Sequence, residues 1–260
     1  MPISQRDKDP DQKSIFFVSD AHLGLASEAD EMYRENRLLT FFNHVQNRGS
    51  RLYIVGDLFD FWFEYAHAIP RHSYRIVHML KEMTDHNIEI HFIVGNHDFA
   101  IGDFFTEELG IPVHYHRLET DIHGKRFLIS HGDGIDPNDR GYRFIKRIFR
   151  HPVSVALFKL LHPDLGFFIA KTLSNLSRKH RPIKDRDQIY IEYAQSQFEL
   201  GFDCLVMGHT HRPQEYHTDG RTYINTGDWM TLFTYGEYDG QTLSLKKWDT
   251  EPESTNPHIK

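Results

Sequence analysis

Five short stretches carry residues whose types and spacing fit metal chemistry. They are Asp20-Ala21-His22, Gly56-Asp57, Gly95-Asn96-His97-Asp98, His131-Gly132-Asp133 and Gly208-His209-Thr210-His211. Each follows an apolar run: Phe16-Phe17-Val18, Leu52-Tyr53-Ile54-Val55, Phe92-Ile93-Val94, Leu128-Ile129 and Leu205-Val206-Met207. A buried strand that ends in Asp, Asn or His delivers that side chain to the edge of a sheet. Taken singly, each stretch reads more simply as a turn. Recurrence at five strand ends makes a shared metal site the better account. The donors Asp20, His22, Asp57, Asn96, His131, His209 and His211 offer oxygen and imidazole nitrogen but no thiolate. Such a set suits manganese, iron, zinc or cobalt better than a sulfur-bound structural zinc. Seven donors exceed one tetrahedral shell. Two ions sharing a carboxylate use them all, and such a pair, roughly 3.5–4 Å apart, clamps a phosphoryl group. Asp57 is the expected bridge. The Asp-x-His and His-x-His spacings read as pairs on one side of an extended strand end.

These residues need strands and helices to hold them. Strands are predicted over 14–20, 51–56 and 88–94, with helices over 29–47, 73–86 and 104–109 between and after them. This alternation implies parallel strands joined by crossovers. A hairpin turning at His123-Gly124 follows. A basic helical segment runs from 137 to about 186, then a helix over 188–200 and a strand at Cys204–Met207. Strands over 214–218, 222–225, 232–238 and 242–248 close the chain, with Asp219-Gly220 and Asp239-Gly240 as hairpin turns. The sum is a sandwiched α/β sheet core of mixed direction. One domain is expected over 13–249, with a helical insertion at 137–186 and disordered tails at 1–12 and 250–260.

Composition bounds the function. The chain has 260 residues, 39% hydrophobic and 26% charged, and suits a globular protein with a sizeable core. A single cysteine, Cys204, excludes an internal disulfide and fits a reducing cytoplasm. No apolar core of a signal peptide opens the chain, and no run approaches the ~20 apolar residues of a membrane span. The net charge of −7 hides an asymmetry: residues 137–186 hold 12 Lys/Arg and 3 Asp/Glu, so the remainder carries 18 basic and 34 acidic residues. The acidic balance argues against nucleic acid as a partner. Of the nineteen histidines, His44, His67, His72, His78, His86, His91, His114, His116, His123 and His217 lack strand-end placement and read as surface or packing residues.

The five stretches together resemble the motif set of the calcineurin-like metallophosphoesterases. The resemblance spans residues 20–211. It implies a four-layered sandwich, two mixed sheets flanked by helices. It assigns Asp20, His22, Asp57 and His211 to one ion, most readily Mn2+, and Asp57, Asn96, His131 and His209 to a second. His97 matches the family's phosphate-contacting histidine, which assists the leaving group. Asp98 is expected to orient His97.

A narrower resemblance rests on Gly56-Asp57-Leu58-Phe59-Asp60-Phe61-Trp62, His131-Gly132-Asp133, Asp139-Arg140-Gly141-Tyr142 and Gly208-His209-Thr210-His211-Arg212-Pro213. These resemble the UDP-2,3-diacylglucosamine hydrolase family. That resemblance implies pyrophosphate cleavage in lipid A synthesis and a helical lid over the acyl chains. The apolar and basic insertion at 137–186 lies where that lid belongs. Better-known members have arginine where this chain has His97. Tyr142, Arg178 and Lys179 are candidate contacts to phosphate or sugar, beside Asn96 and His97. The implied partner is a phosphorylated amphiphile, met at the inner face of the cytoplasmic membrane. No obligate protein partner is inferred.

Overall fold

The computed structural model describes residues 13–24, 27–65, 68–136, 152–158, 160–166, 168–169, 172 and 186–251. The chain opens with β1 (Ser14–Val18), α1 (Glu28–Arg48), β2 (Gly49–Ile54), α2 (Tyr74–Asp85), β3 (Glu89–Ile93), the short α3 (Phe104–Glu107) and β4 (Val113–His114). The hairpin β5 (Leu118–Ile122) and β6 (Lys125–Ile129) follows. Beyond it come α4 (Pro152–Phe158), α5 (Arg186–Glu199), β7 (Cys204–Met207), β8 (Gln214–Thr218), β9 (Arg221–Asn225), β10 (Thr234–Tyr238) and β11 (Leu243–Lys247).

Two mixed sheets result. The first runs β11-β10-β1-β2-β3-β4 and the second β5-β6-β7-β9-β8. Within them β1 to β4 are mutually parallel, as are β6, β7 and β9. The alternation of side chains along β1 shows how the layers form. Phe16 joins Leu38, Phe41, Phe42 and Val45 of α1 on the outer face. Phe17, its neighbour, turns inward with Tyr53 and Ile93 to meet Phe127, Ile129 and Val206 of the second sheet. On the far side, Tyr190, Ala194 and Phe198 of α5 cover Leu128, Leu205 and Met207. Helix, sheet, sheet and helix make the four expected layers. Helix α1 starts at Ser27, whose Oγ accepts the Asp30 N–H at 3.4 Å, and three acids occupy its first turn.

The departures are local. Strand β4 has two residues, too few for any periodicity to announce it. The strand expected from Leu232 starts at Thr234, because the Asp228 carboxylate accepts the N–H groups of Met230, Thr231 and Leu232 and curls the chain there. Of the tail expected from 250, the structure describes Glu251, whose carboxylate meets Arg37 at 2.8 Å and the Tyr33 hydroxyl at 3.0 Å. Most of the insertion at 137–186, with Tyr142, Arg178 and Lys179, lies outside the described residues, as do positions 1–12 and 252–260. Among the described residues, no helix is long and apolar enough to cross a membrane.

Candidate metal centre

All seven expected donors meet where the two sheets converge. The first sheet delivers Asp20 and His22 after β1, Asp57 after β2 and Asn96 after β3. The second delivers His131 after β6, and His209 and His211 after β7. Contacts link them in series. Asp20 Oδ1 lies 3.2 Å from His211 Nε2, which lies 3.1 Å from His22 Nε2. His22 Nε2 is 3.6 Å from Asp57 Oδ2, and His131 Nε2 is 3.2 Å from that same oxygen. Asn96 Oδ1 stands 3.1 Å from His131 Nε2 and 2.8 Å from His209 Nδ1. Among the described residues, three groups bring donor atoms close enough to hold a cation: Asp20, His22 and His211; Asp57, His131 and His209; and His22, Asp60 and His97.

The extended-strand reading of Asp-x-His and His-x-His needs correction. Strands β1 and β7 end at Val18 and Met207, before the ligands begin. Asp20, His22, Asp57, His209 and His211 all adopt positive φ, between 45° and 70°. Left-handed backbone at a residue with a Cβ costs about 1–3 kcal/mol and persists only where the surroundings enforce it. Here a ladder of backbone bonds does so. Asp20 N–H donates to Gly56 O, His22 N–H to Asp57 O, Leu23 N–H to Leu58 O, and Asp60 N–H back to Leu23 O, all at 3.0–3.1 Å. The two loops are a tight continuation of the β1–β2 pairing, wound so that their side chains face one point.

The charges are arranged for a cation. Asp20 Oδ2 accepts from Ser19 Oγ at 2.5 Å and from His209 N–H at 2.8 Å, while Asp20 Oδ1 is buried without a hydrogen-bond partner. An orphaned buried carboxylate oxygen beside three imidazoles fits a divalent ion that completes its shell. Burial pushes the Asp20 carboxyl up, but His211, His22 and His131 outweigh it and hold the group well below the usual range. Asp57 behaves likewise against His131, His97 and His22. Burial alone lowers His131, yet the Asp57 and Asp20 charges raise it to about 10. His131 Nδ1 lies 2.8 Å from the Val55 carbonyl oxygen, so Nε2 is the nitrogen that would hold a cation.

One residue of the site was missed in the sequence, and one role changes hands. His97 Nδ1 is 3.0 Å from the Asp60 carbonyl oxygen and 3.3 Å from Asp60 Oδ1. The same Oδ1 lies 3.5 Å from His22 Nδ1. The carboxylate that the structure sets on His97 is therefore Asp60. Asp98, expected there, points the other way: Oδ1 accepts the Gly95 N–H at 2.7 Å and Oδ2 the Leu58 N–H at 2.9 Å. Adjacent side chains in a tight turn diverge, so neighbourhood in sequence misled. The signal for Asp60 was its place three residues after Asp57, on the ladder that fixes the ligand loops.

Beside the centre, Phe61 and Phe63 stack at 6.1 Å and receive Phe158 of α4 at 5.7 and 4.7 Å. Leu157, Leu160, Leu165 and Phe168 of the insertion remain exposed, Leu160 at 82%.

A two-sheet sandwich that gathers carboxylate, amide and imidazole donors at one rim has the build of a metal-dependent hydrolase. The sequence pattern of the calcineurin-like phosphoesterases matches residues 13–213, and the chain belongs to that family. Several relatives run nearly its full length. A UDP-2,3-diacylglucosamine hydrolase of Porphyromonas gingivalis is 32% identical over 258 residues, 92% of this chain and 98% of its own. Proteins of the same name from Nitrosococcus oceani and Pseudomonas savastanoi are 31% and 30% identical. They align with 83% and 93% of this chain, and with 87% and 98% of their own lengths. The chain is a phosphate hydrolase that uses divalent metal.

Proposed function

We propose that the chain cleaves the pyrophosphate of UDP-2,3-diacylglucosamine, releasing UMP and the diacylated glucosamine 1-phosphate. The observation that carries this substrate is the likeness, over nearly the whole chain, to hydrolases of that name. In this reading Asp20, His22, Asp57 and His211 hold one ion, and Asp57, Asn96, His131 and His209 hold a second, with manganese the metal expected. When bound, such a pair lowers the pKa of water towards ~7 and neutralises phosphoryl oxygens. The chain's own residues do the rest. Asn96 brings a neutral oxygen, which limits negative charge where a phosphate must sit. Asp60 occupies His97 Nδ1, so Nε2 is the nitrogen that meets the phosphoryl or departing oxygen. A phosphate is already a good leaving group, so charge neutralisation outweighs proton donation.

The aromatic rim at Phe61, Phe63 and Phe158, with the exposed apolar side chains behind it, supports an insertion that serves as a lid for acyl chains. It equally supports peripheral contact with the inner face of the cytoplasmic membrane. Tyr142, Arg178 and Lys179 belong to the proposal as phosphate or sugar contacts. A second reading, hydrolysis of another nucleotide or lipid-linked phosphodiester, rests on His97, which stands where better-known members carry arginine. Incubation of the purified chain and Mn2+ with UDP-2,3-diacylglucosamine, plain UDP-sugars and simple diesters, with products identified by mass, decides. UMP from the acylated substrate alone is expected; preference for an unacylated diester would overturn the assignment.

A further inference from the structure

We propose that Asp98 is a positioning residue that acts on the backbone of two ligand loops, fixing the second ion's site rather than aligning His97. The proposal rests on the two-ion reading above. Asp98 is wholly buried, and its two oxygens reach in different directions. Oδ1 takes the N–H of Gly95, the residue before Asn96. Oδ2 takes the N–H of Leu58, the residue after Asp57. The reverse bond exists too: His97 N–H donates to Asp57 Oδ1 at 2.8 Å. Each carboxylate therefore accepts a backbone donor from the other's loop, a reciprocal clasp between the exits of β2 and β3.

The clasp has no slack. A Cβ on Gly95 would collide with Asp57 N and Oδ1. The loops already touch, and Asp98 sets the distance between the bridging Asp57 and Asn96. A buried carboxyl beside Asp57 suffers both desolvation and like-charge repulsion. Its retention is explained by what it alone supplies at that size, two acceptor atoms for two N–H groups on opposite sides. Asparagine offers one acceptor and would turn an NH2 towards the other backbone N–H. Asp57 serves both ions, but its backbone stays tied to the first ion's loop through His22 N–H, and Asp20 is fixed outside the clasp by Ser19 Oγ and His209 N–H. Loss of the clasp therefore strikes the second site harder than the first.

The test uses the full metal-free chain titrated with Mn2+ alone, followed by calorimetry and by electron paramagnetic resonance, which separates a spin-coupled pair from a single ion. The wild-type chain is expected to take up two ions and show the coupled spectrum. Asp98→Asn should retain one ion within about threefold of its normal affinity and weaken the other about 10–100-fold, the range for residues that orient a ligand. The retained ion should survive added Asn96→Ala and be lost on added His211→Ala. If Asp98 worked through His97, Asp98→Asn would bind both ions normally, and the double variant with His97→Ala would hydrolyse substrate no more slowly than His97→Ala alone. Either result overturns the proposal. So does loss of both ions from a chain whose circular dichroism is unchanged. Should Asp98→Asn fail to fold, replacing the Leu58 amide by an ester removes one donor from the clasp and is read the same way. A wild-type chain that takes up fewer than two ions overturns the two-ion reading itself, a distinct failure.

Discussion

The two sheets bring opposite chemistries to the centre. The six-stranded sheet supplies every oxygen donor, Asp20, Asp57 and Asn96, together with His22. The five-stranded sheet supplies imidazoles alone, His131, His209 and His211. Neither rim gathers all seven donors by itself. The first sheet's loops are braced to each other by the backbone ladder from Asp20 to Asp60, and Asp20 and Asp57 are held below their usual range by histidines that come in part from the second sheet. The second sheet's loops rest on Gly208, whose N–H donates to His131 O and whose carbonyl accepts from Asn225 Nδ2. The lesson is that the metal centre is an interface property. Its seven donors come together only where the two sheets pack.

Asp57→Ala breaks this comparison hardest, since Asp57 is the oxygen both proposed ions share. Metal content should fall below one ion per chain, and activity at least about 1,000-fold, as expected when several kcal/mol of charge stabilisation is removed. His131→Ala and His211→Ala should each leave one ion bound, measurable by elemental analysis of the dialysed protein. Equal metal loss from all three variants would mean that the donors do not divide into two sets.

Gly208→Ala tests the contact between the sheets directly. A Cβ there would be driven against Ser19 Oγ and Asp20 Oδ2, across the seam. Overpacking of this kind costs about 1–3 kcal/mol, which a urea titration would register. Mn2+ affinity should fall with it, because the displaced atoms hold Asp20. Unchanged affinity in the destabilised variant would show that the seam and the centre are uncoupled.

How much of this was legible in the sequence follows the same division. The seven donors announced themselves because each ends an apolar run, and the structure brings all seven to one rim. The hairpins at His123-Gly124 and Asp219-Gly220 were legible because their turns need two residues at positive φ, which both pairs adopt. What was not legible depends on three dimensions. Positive φ at Asp20, His22, His209 and His211 replaces the simple i, i+2 rule, and no residue pattern encodes it. Asp60 was hidden inside Leu58-Phe59-Asp60-Phe61-Trp62 because its partners, His22 and His97, come from other strands. Asp98 stood beside His97 in sequence and turned away from it in space.

Asp60→Asn probes that hidden residue with a smaller effect. One oxygen of Asp60 faces both His22 and His97, so its loss should lower kcat about 10–100-fold while at least one ion stays bound. Combined with His97→Ala, the effects should fall short of the product of the singles, since the two residues share one contact. Full multiplicativity in steady-state rates would assign Asp60 to His22 alone.

The mildest change tests whether the ions hold the sheets together. Phe17 stacks between Tyr53 at 5.1 Å and Phe127 at 6.1 Å, with ring planes within 8° of parallel. That column crosses from the first sheet to the second. Phe17→Leu keeps an apolar side chain but interrupts the column, and should cost about 1 kcal/mol with little change in rate. If the ions bridge the sheets, they bind only the packed form, and Mn2+ at 100 times its Kd adds roughly 2.7 kcal/mol for a single site. The metal-loaded variant should then melt above the metal-free wild type. Phe16→Leu, on the opposite face of β1, is the control: it weakens the contact with α1 and leaves the column intact. A Phe17 variant whose melting temperature ignores Mn2+, while the wild type responds, would mean that the ions bind one sheet's loops and not the junction of both.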